Sequence, residues 1–504
     1  MKFHTSFFVA AAAFIPATSS YADVTPQEVW AHAQLSAKSM GHTLSGRLEH
    51  DGDMLVVHDV KIEILGMNSD LMTFAGSLPK MVLKPLSGGT VELTVPEPTT
   101  YTVTMAGHPS IGMDAIDIVS SMTMDNAFIV SGSADDLAYE MLPGTIAYVT
   151  QKQVKDGLVV VPEQIITLLG AQGDMTYAID EGRIATVMDF RADAVTSQSN
   201  GTTDEITMET VYKAAPLQLN ADFMAQSGDQ DAPLDYLKTL TGQAQYTIGN
   251  LTAETTAGTA AQMMHILAES QETTLIATIA DGSFNYSGSV GQTEVALDGS
   301  AIPFPNIDFG IEKTTIGLTM PFVQSDAPAA FGTKLAIENL RLPDIAWMML
   351  DPAGQMPHDP ATLKLDISGD MILDVDLFNP QSMMNLDAGD LPVFPQNFTL
   401  NELFLSVAGA TLSGTGAATV VAPEKLAGAQ LPFQTGQATL ALTGGTALIN
   451  TLEQSGLVPP QMSATAKMML TIFARPGEDD DSYISDIELS EQGALTVNGQ
   501  PMPF

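Results

Sequence analysis

"HTLSGRLEHDGDMLVVHDVKIEIL", residues 42–65, is the stretch whose reading decides the fold. The turn-forming tetrad His50, Asp51, Gly52, Asp53 joins two runs in which apolar and polar residues alternate, as in Val60, Lys61, Ile62, Glu63, Ile64. A period of two puts one set of side chains on a covered face and the other in water, and a turn signal between two such runs predicts an antiparallel hairpin. The same grammar continues in "TVELTV" (90–95), "TTYTVTM" (99–105), "MTYAI" (175–179), "DEITMETVY" (204–212), "TTLIATIA" (273–280) and "LAIENLRL" (335–342), with Gly, Asp, Asn or Pro between runs. The expected fold is mainly β, with α+β character only at the margins: a long, curved, mostly antiparallel sheet carrying a few short helices. The even spread of strands argues against helix-rich α/β domains.

Helical signals are few. "TPQEVWAHAQLSAKSMG" (25–41) has Thr25 as N-cap, Pro26 at the first helical position, Glu28 three residues after Thr25 and Gly41 as stop, which predicts a helix over 26–40. Shorter signals fall at 163–169, 233–240, 259–269, 344–350 and 446–455. A weak repeat of short apolar helix, Gly and alternating strand is read at 164–179, 235–249, 349–370 and 448–472. It suggests two similar halves, about 23–230 and 231–504, with "QSGDQDAP" (226–233) as the boundary candidate.

The opening "MKFHTSFFVAAAAFIPATSSYA" sets Lys2 before an apolar run and ends on small residues, so 1–22 is expected to be a secretory signal peptide cleaved after Ala22. No apolar run approaches the ~20 residues that cross a bilayer as a helix. Together with the absence of cysteine, this predicts an exported, periplasmic protein with no transmembrane segment. A net charge of -40 repels phosphate backbones and anionic headgroups, which excludes nucleic acid as a partner and opposes electrostatic docking on acidic membranes.

"MLDPAGQMPHDPATLKLDISGD" (349–370) gathers Asp351, His358, Asp359, Asp366 and Asp370. Asp344 is expected to cap a helix over 344–350. Pro352 stops that helix, the Asp359–Pro360 step makes a turn, and from Thr362 the pattern is strand, with Leu363, Leu365 and Ile367 on one face and Lys364 and Asp366 on the other. The acids therefore leave different elements in different directions, and the stretch reads as a corner in the fold rather than a converging carboxylate pair. His42, His50 and His58 could approach across the first hairpin, but read as surface strand residues. Glu478, Asp479, Asp480 and Asp481 offer hard oxygen ligands without the spacing or the Gly of an EF-hand, and read as a solvated hairpin tip. No G-x-S-x-G, P-loop, helix-opening G-x-G-x-x-G or H-E-x-x-H occurs. No catalytic, cofactor-binding or metal-binding residue is assigned. Pro501 and Pro503 argue against a terminal outer-membrane barrel strand ending at Phe504. The Met doublets 263–264, 348–349, 383–384 and 468–469 suit core filling first, and a groove for varied acyl chains second.

"WMMLDPAGQMPHDPATLKLDISG" (347–369), "TPQEVWAHAQLSAKSMGHTLSG" and the final "GALTVNGQPM" resemble an exported alphaproteobacterial family, domain of unknown function 2125. That family usually reads Leu-Pro-Arg-Asp-Pro-Ala-Thr where this chain has Met356 and His358 at the Leu and Arg places. A fixed cation has become a titratable one. The family supplies no catalytic residues to carry over. Its distant similarity to periplasmic AsmA-like proteins implies an elongated sheet associated with envelope lipid handling.

The first expectation is therefore a non-enzymatic periplasmic protein whose apolar sheet face binds or shields lipid or another amphipathic envelope component. The alternatives are an envelope structural or interaction protein with a packed core and protein partners, and a glycan hydrolase, which would need two carboxylates converging in a cleft.

Overall fold

In the computed structural model, residues 23–39, 42–64, 72–105, 116–155, 158–180, 183–202, 206–226, 236–302, 304, 307–352, 354–377, 392–421 and 432–502 are described. The expected leader, the 227–233 part of the boundary candidate and Met383–Met384 lie outside these residues. Among them the chain forms one 29-stranded sheet and a two-stranded ribbon at 153–161. The residue 42–65 reading holds: His42–Asp51 pairs antiparallel with Met54–Ile64. Every strand pairing among the described residues is antiparallel, and successive hairpins add to one growing edge, so strand order largely follows chain order. Across the candidate boundary, Thr207–Gln226 and Thr241–Gly258 pair directly, Leu219 opposite Tyr246.

From about residue 163 to 340 long strands such as Glu163–Asp180, Thr207–Gln226 and Thr241–Gly258 run through a level at which their neighbours are interrupted. Strands end and restart at Ala192 and Ala194, Ser270 and Thr273, Val290 and Thr293, and Ile311 and Lys313. Backbone bonds bridge the breaks, from Asp193 N–H to Leu169 O (2.9 Å) and Gln271 N–H to Gln292 O (2.9 Å). At this line the apolar alternation advances by three residues instead of two: Ile248 to Leu251, and Val290 to Thr293. An extra residue in neighbouring strands at one level acts as a shared bulge, which bends and twists the sheet there. Gly170 takes φ 63° on this line, and a Cβ there would meet the Asp193 carboxylate at 2.2 Å. Buried Asn126 pins the line by donating to Leu142 O (2.8 Å) and Ala171 O (2.7 Å).

Helix α1, Pro26–Ser39, starts as its sequence dictates: Thr25 N–H and Oγ1 donate to Glu28 Oε2 at 2.8 Å, and Glu28 N–H donates back to Thr25 Oγ1 at 3.3 Å. Val29 and Trp30 then pack on the sheet in the main buried cluster. That cluster takes Val57 and Leu83 from one side of the fold line and Val60 and Leu78 from the other.

The remaining helices are α2 (Tyr236–Thr239), α3 (Asp344–Leu350), α4 (Gly445–Gln454) and α5 (Pro460–Phe473). Two helical expectations and one strand expectation fail. Residues 163–169 belong to strand Glu163–Asp180, paired on both sides, because the β-branched run Ile165, Ile166, Thr167 suits a two-sided ladder better than a helix. Residues 263–269 are likewise strand, held between Leu251–Gly258 and Thr293–Asp298. The 448–472 unit ends in helix α5 rather than in a strand, opened by Pro460 at its first position. The helix–Gly–strand unit is present at 235–249, where α2 leads into Thr241–Gly258, and at 349–370, where α3 precedes Ala361–Leu373, but not at 164–179 or 448–472. No helix among the described residues is long and apolar enough to cross a membrane.

Candidate functional site: an apolar trough

Strand register aligns single residues across the sheet into one transverse row. From Leu55 the row passes through Leu83, Leu93, Phe128 and Met141 to Gly173. It continues through Phe190, Leu219, Tyr246 and Leu275 to Gly288. It then crosses Ile316, Leu335, Leu365 and Leu403 to reach Leu440 opposite Gly414. Seventeen strand levels at ~4.8 Å spacing give an apolar track roughly 77 Å long along the sheet. One residue along each strand, the next row reads Glu140, Asp174, Asp189, Asn220 and Gln245, all exposed. The pleat thus sets an apolar row beside a polar one across these strands, and like charges sit directly opposite at Glu140, Asp174 and Asp189.

The N-terminal end of the track is closed by α1, and the closure has a polar seam. His32 is buried with its ring 5.6 Å from Tyr177 and 6.3 Å from Tyr139, and Tyr139 Oη lies 3.4 Å from His32 Nδ1. Burial holds the imidazole below its ordinary pKa, against the opposing pull of Asp135, and pushes both phenols up. The other imidazole nitrogen, Nε2, meets no hydrogen-bond partner. Toward the C-terminus the track opens into a groove of about 310 Å³ lined by Phe398, Leu400, Phe433, Ile487, Leu489 and Leu495.

The opposite, polar face carries a cleft of about 810 Å³ at the same end, containing Asn401, Thr439, Arg475, Asp486, Glu488 and Asn498. Arg475 binds Asp486 at 2.9 Å and Thr439 donates to it at 3.0 Å; the Arg475 hydrogen bond, followed by that of Thr439, holds the Asp486 carboxyl below the usual range. Among the described residues every carboxyl with a clear shift moves down, the wrong direction for a general acid.

The 349–370 stretch forms a corner, as its spacing predicts, and His358 reaches an acid within it. Asp351 is buried and accepts hydrogen bonds from Gln355 N–H (2.9 Å) and Met356 N–H (2.7 Å), with His358 Nε2 at 3.3 Å. The His358 ring stacks on Trp347, centroids 4.2 Å apart and planes 13° from parallel. Asp366 and Asp370 face elsewhere: Asp366 pairs with Lys334 at 3.2 Å, and Asp370 accepts from Asn397 at 2.9 Å. Asp359 is exposed. Asp344 does not cap α3. Pro343 holds the N-cap position without a side-chain bond, and Asp344 sits inside the first turn, where its charge still favours the helix dipole.

The first-hairpin histidines stay apart: His58 pairs with Glu49 at 2.9 Å, His50 lies 3.5 Å from Gln27, and His42 stands opposite Ile64. Asp481 is used structurally, accepting from Thr446 N–H (3.1 Å) and Ala447 N–H (2.9 Å) at the start of α4, while Glu478, Asp479 and Asp480 are exposed. Among the described residues no three His, Asp or Glu are placed to share a metal ion. Core filling is the wrong reading for two Met doublets, since Met348, Met349, Met468 and Met469 are exposed on helices rather than packed in the sheet. The track itself was missed in sequence because it is a property of register, although its apolar members follow the alternation that predicted the strands. No family model matches the chain, and a search of curated proteins finds no match.

Proposed function

We propose that the protein is a non-enzymatic carrier that holds the acyl chains of lipid, or of another amphipathic envelope component, along the apolar trough. The supporting observation is that the track continues far beyond the cover of α1 with large apolar side chains in water: Ile316 is 39% and Leu318 42% exposed. Covering such surface gains about 25 cal/mol per Å², and each methylene of a ligand adds about 0.8 kcal/mol when buried. An exposed continuous apolar surface of this kind calls for an occupant. The net charge of -40 keeps the loaded protein soluble and away from other copies of itself. The leader expected over residues 1–22 puts this activity in the periplasm, where amphipaths must cross water.

Native mass spectrometry of the purified chain, followed by solvent extraction and lipid analysis, tests the reading. Bound lipid that a fluorescent fatty acid displaces is the expected result. A chain that carries no lipid and leaves the fatty-acid probe in water overturns it.

A further inference from the structure

Helix α5 is inside out. Its protein-facing side carries buried Ser463 with half-buried Ala466, Lys467 and Leu470. Ser463 Oγ donates to Glu453 of α4, and Lys467 Nζ reaches the same carboxylate at 3.4 Å. Its outward side carries Met462 (63% exposed), Met468 (55%), Met469 (46%) and Ile472 (50%), with Phe473 at its end. A helix resting on a protein in water shows the reverse order, apolar inward and polar outward. Something less polar than water is therefore expected against this face.

Charge and position indicate what that is. Residues 454–477 contain no Asp or Glu, only Lys467 and Arg475, in a chain with 59 acids and a net charge of -40. A lipid surface accepts such a segment without desolvating a carboxylate. A second copy of the chain would bring two strongly negative bodies together. Helix α5 leads through Arg475, which lies in the polar cleft, into the last strands, whose Ile487, Leu489 and Leu495 line the apolar groove on the other face. Helix α3, with exposed Met348 and Met349, stands at the same strand-end rim, where Gly409 of the intervening hairpin turn meets Pro357.

We propose that the outward face of α5, joined by Met348 and Met349, seats the open end of the trough on a lipid bilayer by inserting apolar side chains among the headgroups. The inference deepens the trough reading by adding the surface from which lipid enters, and it is measured separately. Insertion rather than charge attraction drives the docking, so the salt dependence is inverted. Zwitterionic vesicles bind the protein, whereas vesicles containing anionic lipid bind it less at low salt and recover as salt screens the repulsion.

The test is co-sedimentation of the full mature chain with both vesicle types, beside fatty-acid uptake and light scattering. Met469→Glu with Ile472→Glu is expected to weaken partitioning at least about tenfold, with an unchanged melt and unchanged fatty-acid uptake, because both side chains already face water. Met469→Leu with Ile472→Leu is expected to retain docking. A wild-type chain that stays in the supernatant at every salt concentration overturns the proposal, as does a Glu variant that pellets like wild type. A dimer that the Glu variant converts to monomer, without vesicle binding, assigns the face to a second copy instead. Vesicle binding without fatty-acid uptake would sink the trough reading and leave the docking intact.

Discussion

At the scale of single residues, the most constrained group is Asp351. Two backbone N–H donors and His358 converge on a carboxylate that the surrounding loop removes from water. The Gln355 hydrogen bond, opposed by burial and reinforced by Met356 and His358, holds its carboxyl below the ordinary range. A carboxylate with a lowered folded pKa stabilises the native state above its unfolded value, near pH 4, and that contribution is lost as pH falls through the folded value. Asp351→Asn replaces an acceptor with a donor facing two N–H groups. It should lower the thermal midpoint at pH 7 by a few degrees and flatten the acid limb of the stability profile. Equal acid limbs in the two proteins would show that Asp351 contributes nothing to it. The sequence made this corner legible because Pro352, Asp359 and Pro360 each restrict the backbone locally. It could not show that Asp351, rather than Asp359, takes the histidine, because that depends on how the loop folds back over Trp347.

At the scale of elements, α1 was readable to its boundary because its start is a reciprocal capping box and its buried face is short. The strands at 163–169 and 263–269 were misread because continuous apolar runs look alike in helix and strand until pairing decides. The exposed face of α5 was not foreseen, since Met and Ile at helical spacing normally indicate a core. The weak point of α1 is His32, buried beside Tyr139 and Tyr177, with Asp135 as the one opposing charge acting on it. Burial lowers its folded pKa, so below about pH 6.5 the unfolded chain binds the proton more readily and stability falls as pH drops. The thermal midpoint is expected to decline from pH 7.5 to 5.5, and His32→Gln should reduce that slope even if its midpoint at pH 7.5 is lower. His265 acts with the opposite sign, because the Glu254 hydrogen bond raises its pKa, so the comparison of slopes isolates His32. In a Trp347→Phe background, Trp30 is the sole tryptophan and reports whether α1 leaves the sheet in the same pH range.

At the scale of the molecule, the track length decides what kind of carrier the proposed function requires. Roughly 77 Å of apolar row, at ~4.8 Å per strand, is about two and a half times the ~30 Å hydrocarbon thickness of a bilayer. A single acyl chain cannot cover it, so the loaded trough should hold several chains end to end, or pass one along. The two cases separate when the middle of the track is blocked. Ile316 and Leu318 suit this because both are partly exposed and stand opposite Gly288 and Tyr286 of the neighbouring strand. Ile316→Glu with Leu318→Glu places two carboxylates on the apolar floor, where burial beneath a lipid chain is unfavourable for either charge. If the trough stores several chains, native mass spectrometry should show the number of bound lipids falling without reaching zero, because both ends still bind. If it is a conduit, the ends should still load, but transfer of fluorescent lipid between donor and acceptor vesicles should drop at least about tenfold, the size expected when one step costs 1.4 kcal/mol or more. Unchanged stoichiometry together with unchanged transfer would mean that the register row, continuous as it is, does not carry lipid through the middle of the sheet.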